Sequence, residues 1–293
     1  MLEDLDHAGS LVVRGHVDGG RTVRASGDIS VAGVVEAARV EAGGNLRVDG
    51  GISGRGKGYC RAAGEIVTRY VANATLEAAG DVRAGTEVIH SRVVCGGALV
   101  IAEGDLVAGH ATVTGGVTCR RIGSPGGVVT LVEVGIDAAF RAAADKAVPE
   151  IDAKRTKAKK IRAVVTPLLR NQKTLTSAQK ERATELLFEA DEIEADANRM
   201  FDALKVHYDR VSQVAKPVIR VSEWINPPVT VHVPGLRATI QTRFEGPLTI
   251  LPCGRGSARV IAVVRDKRPP FPLRSEPLPD PHLDHFRRML ERA

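Results

Sequence analysis

Apolar and polar residues alternate in short phrases that repeat between Leu11 and about Val134. One phrase, apolar-x-apolar-x-Gly-x-apolar, occupies residues 11–17, 29–35 and 46–52. A second phrase places its glycine at 27, 44, 64, 80 and 97, so its spacing varies from 16 to 20 residues. Alternation with a period of two indicates strands, and self-similarity at such a spacing indicates a solenoid. We predict a parallel β-helix of about seven coils over residues 1–135, and the irregular spacing favours a right-handed one.

Equivalent residues of successive phrases form columns, as stacked coils require. We expect two of these columns to lie inside the β-helix: Val23, Val40, Cys60, Leu76 and Val93 in one, and Ala25, Ala42, Ala62, Ala78 and Cys95 in the other. A polar residue follows four of the repeating glycines, at Asp28, Asn45, Glu65 and Asp81. We interpret the glycine as a turn residue with positive φ, and the polar side chain as bonding the backbone of its own turn. The alternative for this polar column is an acidic catalytic or Ca²⁺ site.

After Gly135 the apolar period changes to about 3.5, which is typical of a coiled coil. We predict an antiparallel helical hairpin over residues 136–216, with its turn at Thr174–Thr176. A capping box at Thr176 and Gln179 begins the second helix. The predicted register places Ala158 opposite Ile193. Its predicted seams are Phe140, Ala144, Ala147, Ile151, Lys154, Ala158, Ile161, Val165 and Leu168 on the first arm, and Ala183, Leu186, Ala190, Ile193, Ala197, Met200, Leu204, His207, Val211 and Val214 on the second.

The first arm of this hairpin is basic and the second is acidic. The basic run Lys154–Lys160 has the composition of a nucleic-acid patch, but the acidic arm makes pairing within the hairpin the preferred interpretation. We expect Arg155 near Glu194 and Lys157 near Asp196, and we predict no nucleic-acid partner.

Strand-like alternation returns after the hairpin. Residues 217–264 are predicted to form a short β segment that caps or continues the β-helix. Residues 265–293 contain a proline-rich tail followed by a short terminal helix, with Leu283, Phe286 and Leu290 on one face. The predicted fold class is thus mainly β, with an inserted helical hairpin.

Composition narrows the function classes. The chain has a net charge of +6 and only 3 % aromatic residues, and its four cysteines lack the spacing of a metal site. We find no signal peptide and no apolar run long enough to span a membrane, so a cytoplasmic location is expected. His90 and His110 lie 20 residues apart and are interpreted as a surface pair rather than as metal ligands. No catalytic, cofactor-binding or metal-binding residues are predicted.

Two surfaces are candidates for contacts. The loop Ser53–Gly58 carries Arg55 and Lys57, which are candidate contacts for an anion or a protein partner. The first coil carries a candidate self-association edge formed by Leu11, Val13 and Val17, since an uncovered strand edge pairs readily with another chain. We expect a dimer or polymer to form on this edge, and a proline at Val13 to remove one of its donors.

The order of these segments resembles the flagellar assembly protein A family. The matching pieces include Gly27-Asp28-Ile29, Gly50-Gly51-Ile52, Ala79-Gly80-Asp81-Val82 and, after the hairpin, Pro228–Val233. The resemblance covers about residues 11–255, and it implies a bacterial protein of scaffolding or assembly type with no established catalytic residues. Members of the family usually carry a further domain ahead of the β-helix, which this sequence does not show.

The favoured function is therefore a non-enzymatic scaffold that uses the β-helix and the hairpin for protein–protein contacts or self-association. The alternative is a carbohydrate-active or acyl-transfer β-helix enzyme. A carbohydrate-active enzyme usually stacks sugar rings on aromatic side chains. This chain has only one Trp and three Tyr residues, which favours the scaffold over the enzyme.

Overall fold

The computed structural model describes residues 4–170, 175–213, 218–254, 259–266 and 268–292. They form two units, each with its own core. Unit 1 combines Met1–Ala138 with Val214–Pro279, and unit 2 combines Ala139–Gln213 with Asp280–Ala293. The predicted turn at Thr174–Thr176 and the seam residue Val214 fall partly or wholly outside the described residues.

Unit 1 begins as a β-solenoid of about seven turns. Its strands are β1 (Leu5–His7), β2 (Leu11–Val13), β3 (Thr22–Ala25), β4 (Ile29–Val31), β5 (Val34–Glu36), β6 (Arg39–Ala42), β7 (Leu46–Val48), β8 (Gly51–Ala62), β9 (Ile66–Ala78), β10 (Val82–Cys95), β11 (Leu99–Ile101), β12 (Asp105–Val113), β13 (Val117–Ile122) and β14 (Thr130–Val134). Each strand pairs in parallel with the equivalent strand of the next coil, so the predicted parallel solenoid is confirmed.

The interior columns stack in the predicted register. Val23 pairs with Val40, and the same column continues through Cys60, Leu76 and Val93. The neighbouring column runs from Ala25 to Cys95 in the same way, and all ten residues of the two columns are buried. Apolar side chains alternate inward because successive residues of a strand face opposite sides.

The repeating glycines have a different role from the predicted one. Gly44, Gly64 and Gly97 do not have positive φ. Instead, the polar side chain of the preceding coil passes over each of them: a Cβ on Gly44 would lie 2.1 Å from Asp28 Oδ1, and a Cβ on Gly64 would lie 2.1 Å from Asn45 Oδ1. Glycine is required there because only a residue without a side chain leaves room for this approach.

The polar residues of this column bond the next coil rather than their own turn. The Asn45 backbone N–H donates to Asp28 Oδ1 at 2.6 Å, and the Glu65 N–H donates to Asn45 Oδ1 at 2.9 Å. The Ala98 N–H donates to Asp81 Oδ1 in the same way. The column is therefore a set of links between coils, which explains why it repeats once per coil.

The strands after the helices first extend the solenoid and then end its parallel stacking. β15 (Ile219–Ile225) pairs in parallel with β13, and β16 (Val229–Val233) pairs in parallel with β14. The remaining strands pair antiparallel: β17 (Leu236–Ile240), β18 (Phe244–Glu245), β19 (Leu248–Cys253), β20 (Val260–Arg265), β21 (Phe271–Pro272) and β22 (Ser275–Pro277).

Unit 2 contains the predicted helical hairpin. Its helices are α1 (Ala138–Arg170), α2 (Ser177–Ser212) and α3 (Pro281–Leu290). The capping box is confirmed, because Thr176 and Gln179 each accept a backbone N–H from the other. Phe140, Ala144, Ile151, Ala158 and Val165 of the predicted first seam are buried.

The seam differs from the prediction at several positions. Val148 and Phe201 are buried, whereas Ala147 and Met200 are only partly covered and Leu168 is half exposed. A straight α-helix has 3.6 residues per turn and drifts away from a strict 3.5-residue repeat, so a heptad pattern misplaces residues along helices of 33 and 36 residues.

The charge pairing of the two arms exists, but the partners differ from those predicted. Lys157 bonds Glu189 at 3.0 Å rather than Asp196, which instead bonds Lys154. Arg155 donates to Asn198 and stacks on Phe201 instead of pairing with Glu194. Glu194 pairs with Arg162. Long side chains reach one turn along the neighbouring helix, which sequence position alone does not predict.

Helix α3 packs against the open end of the hairpin. Phe286 is fully buried among Phe140, Phe201 and Tyr208, with ring centroids 5.4 to 6.0 Å apart. Asp280 caps α3 by accepting the Leu283 N–H.

Candidate interaction surfaces and a buried polar cluster

The loop that carries Arg55 and Lys57 bulges out of the solenoid. The pairing of β8 with β9 is interrupted between Ser53 and Gly58, and Arg55 and Gly56 both have positive φ. Arg55 donates to Glu36 Oε2 at 3.0 Å, so its charge is already partly matched. Lys57 is exposed, and within the described part of the chain no bond engages it. Lys57 is therefore the more available cation of this loop.

The three residues of the candidate edge face into the first coil. Leu11 and Val13 pack against the solenoid core, and Val17 is buried and bridges to Val35. The Val13 carbonyl accepts the Ala32 N–H, and in a parallel ladder the N–H of the same residue points the same way. Val13 is therefore not an edge donor. The backbone of Val12 points away from β4, towards an edge on which no described strand pairs, and its side chain is 69 % exposed.

The hairpin exposes large apolar side chains outside its seam. Val164 and Leu168 of α1 are 65 % and 50 % exposed, and their i, i+4 spacing places them on one face of the helix. Lys160 is one turn before Val164, is exposed, and has no bond to any described residue. Phe188 of α2 is also 67 % exposed. We refer to Lys160, Val164 and Leu168 as the α1 patch.

The predicted surface pair of His90 and His110 does not form across adjacent coils, because Arg92 is the residue that pairs with His110. His110 instead belongs to a polar cluster around Glu133. Its Nε2 lies 2.7 Å from Glu133 Oε2, while His232 Nδ1 lies 2.9 Å from Oε1 and the Thr112 hydroxyl donates to Oε2 at 2.7 Å.

Glu133 is an unusual carboxylate for this solenoid because its side chain is only 10 % exposed. Burial alone raises the pKa of a carboxyl group, but the hydrogen bonds from His110, His232 and Thr112 outweigh it and hold the Glu133 pKa well below its ordinary value. Glu133 is therefore ionised at neutral pH. The cluster joins β12, β14 and β16, strands that come from both sides of the hairpin insertion.

Sequence reasoning missed this cluster because Glu133 and His232 are 99 residues apart. In the structure β16 lies beside β14, so that Thr230 aligns with Leu131 and His232 aligns with Glu133. This alignment brings the polar side chains of His232 and Glu133 together. That alignment requires knowing that β16 stacks on β14 across the inserted helices.

The four cysteines are free, and Cys60, Cys95 and Cys119 are buried. Burial raises the pKa of each of these three thiols to about 12, so they act as apolar core residues rather than as nucleophiles. Within the described ranges, no three His, Cys, Asp or Glu side chains are arranged to hold a metal ion. No described helix has the length and hydropathy needed to cross a bilayer.

Comparison with known protein families identifies a family whose model covers most of the chain. The family model of the flagellar assembly protein A β-solenoid domain matches residues 4–252. The match includes the solenoid, the two long helices and the strands through most of β19. No curated protein and no solved structure matches the chain significantly.

Proposed function

The chain belongs to the flagellar assembly protein A family, and from that premise we propose that it is a non-enzymatic scaffold that binds protein partners through its helical hairpin. The family description links the chain to flagellar assembly and names no reaction. The alternative of a carbohydrate-active or acyl-transfer enzyme gains no support from the polar column, because its members are engaged in bonds between coils.

The α1 patch is the observation that carries this proposal. Exposed contiguous apolar side chains on a folded surface mark contact sites, and Val164 and Leu168 are adjacent on α1. Lys160 beside them adds a positive charge that has no bond to a described residue. The expected occupant is a flagellar-assembly protein that presents an apolar surface with acidic neighbours.

A cytoplasmic site of action is part of the proposal. It is supported by the four free cysteines, since reducing compartments are where cysteines stay unpaired.

Self-association through the first coil is a second proposal, and the open backbone edge at Val12 supports it. The partner would be the edge strand of another copy. The bonds and burial at Val13 and Val17 make these residues supports of the edge rather than its contact groups.

The hairpin proposal is tested by counting flagella in cells that carry only a variant chain. Val164→Glu with Leu168→Glu places two charges on the α1 patch, and both positions are exposed, so the hairpin is expected to remain folded. The matched control is Ala178→Glu with Ala195→Glu, which adds the same charge at exposed positions of α2. We expect the patch variant to show the flagellar defect of cells without the chain, and the control to behave as the parent. Normal flagella in the patch variant would refute the proposal.

A further inference from the structure

The antiparallel strands at the end of unit 1 line an open cavity of about 730 Å³. Its walls come from β16, β17 and β22 and from the segments around Phe244 and Phe271. Most small-molecule sites have a volume between roughly 300 and 1,000 Å³, so this cavity is large enough for a compact ligand. It belongs neither to the α1 patch nor to the edge of the first coil.

The chemistry of the walls is polar and positive on balance. The charged groups are Arg237, Arg274 and Glu276, and neutral hydrogen-bonding groups come from Thr230, Thr239, Gln241 and Thr242. Arg237 donates from Nε and Nη2 to Glu276 Oε2, at 3.0 and 2.7 Å, so these two charges compensate each other. Arg274 is exposed and makes no bond within the described part of the chain. One positive charge thus remains unmatched in the cavity.

His232 connects the cavity to the buried cluster. It lies in the cavity wall, and its Nδ1 is held by Glu133, so Nε2 is the ring nitrogen left to bind a ligand. A carboxylate behind an imidazole fixes the orientation of the ring. The charged and titratable groups around His232 are Glu133 and, through it, His110 on the solenoid side, with Arg237 and Glu276 on the cavity side.

We propose that this cavity binds a small oxyanion, a phosphate or carboxylate group carried by a soluble molecule, through His232 and Arg274, with Arg237 recruited from its pair with Glu276. Guanidinium and imidazolium groups make charge-assisted hydrogen bonds to such oxyanions, which are the strong class of hydrogen bond.

Glu276 opposes the binding that we propose, because it competes with the ligand for Arg237 and its negative charge repels an anion. Glu276→Gln should therefore tighten binding, whereas a residue that only supports the local structure would not produce a gain on removal.

The test is isothermal titration calorimetry on the full chain with phosphate, sulfate and citrate as probes and glycerol as the neutral control. We expect saturable one-site binding of at least one oxyanion. Arg274→Gln should weaken it about tenfold, as expected for loss of a charged hydrogen bond, and Glu276→Gln should strengthen it several-fold. Arg47→Gln is the control, because Arg47 is an exposed solenoid arginine that pairs with Asp49 and lies outside the cavity.

His232→Gln removes the imidazole from the cavity wall and should weaken sulfate binding, because one of the groups proposed to hold the oxyanion is lost. If His232→Gln unfolds the segment, Arg274→Gln and Glu276→Gln decide the question. Preference for phosphate and sulfate indicates a phosphorylated ligand, and preference for citrate indicates a carboxylate. The absence of saturable binding, or equal weakening by Arg274→Gln and Arg47→Gln, would overturn the proposal.

Discussion

At the scale of single residues, the repeating glycine and the polar residue of the preceding coil act as a pair. Asp28 Oδ1 can reach the Asn45 N–H only because Gly44 has no side chain. Gly44→Ala should therefore destabilise the solenoid by about 1–3 kcal/mol through overpacking. The cost should fall in an Asp28→Ala background, where the clashing oxygen is absent. Chemical denaturation of the four proteins of this cycle measures the coupling.

Asp28→Asn serves as the control in the same cycle. Asn45 already makes the equivalent bond with an amide oxygen, so Asp28→Asn should be nearly neutral. If the losses in the free energy of unfolding from Gly44→Ala and Asp28→Ala were strictly additive, the close approach of Asp28 would not be the reason for glycine at position 44. The backbone conformation of Gly44 would then be the reason.

Glu133 makes stability depend on pH in a defined direction. Its pKa in the folded chain is lower than the ordinary value of 4.5, so the carboxylate stabilises the fold above that pH and loses this contribution as the pH falls towards the folded pKa. Glu133→Gln should cost about 1.5–3 kcal/mol at neutral pH, the usual range for a hydrogen bond to a charged group.

The measurement is the free energy of unfolding of unit 1 at several values between about pH 3 and about pH 7. The difference between the parent and Glu133→Gln should become smaller towards the acid end, because the unfolded carboxyl group becomes protonated there. A difference between them that does not change with pH would contradict the ionised state assigned to Glu133.

At the scale of elements, the hairpin has a register that can be measured. Cysteines at Ala158 and Ile193 should form a disulfide within one molecule, whereas cysteines at Ala158 and Met200 should not, because the second pair is about two helical turns out of register. Cys253→Ser removes the one native thiol that is not buried. Preferential crosslinking of the Ala158–Met200 pair would show that the predicted register is wrong.

Sequence patterns predicted local geometry well and distant contacts poorly. The columns through Val40 and Ala42 follow from alternation, which is set by the strand itself. The charge partners on the hairpin, and the stacking of His232 beside Glu133, depend on tertiary placement across long insertions. Leu168 shows the same limit, because its heptad position predicts burial and the drift of a straight helix leaves it half exposed.

At the scale of the whole molecule, the open edge at Val12 predicts self-association that depends on concentration. Val12→Pro removes the N–H that faces the edge and should abolish the larger species, whereas Val12→Thr keeps the N–H and should not. Light scattering over a range of concentrations measures both. A parent chain that stays monomeric at high concentration would eliminate this edge as an interface.

We propose that the chain acts by contact through the α1 patch, and crosslinking inside living cells can detect that contact. A photoreactive amino acid at Val164 should give one defined adduct with a flagellar-assembly protein, and Lys160→Glu should weaken it by removing the positive neighbour. The same amino acid at Ala195, an exposed position of α2, should give no such adduct. Absence of an adduct at Val164 in cells that build normal flagella with this chain would contradict the claim.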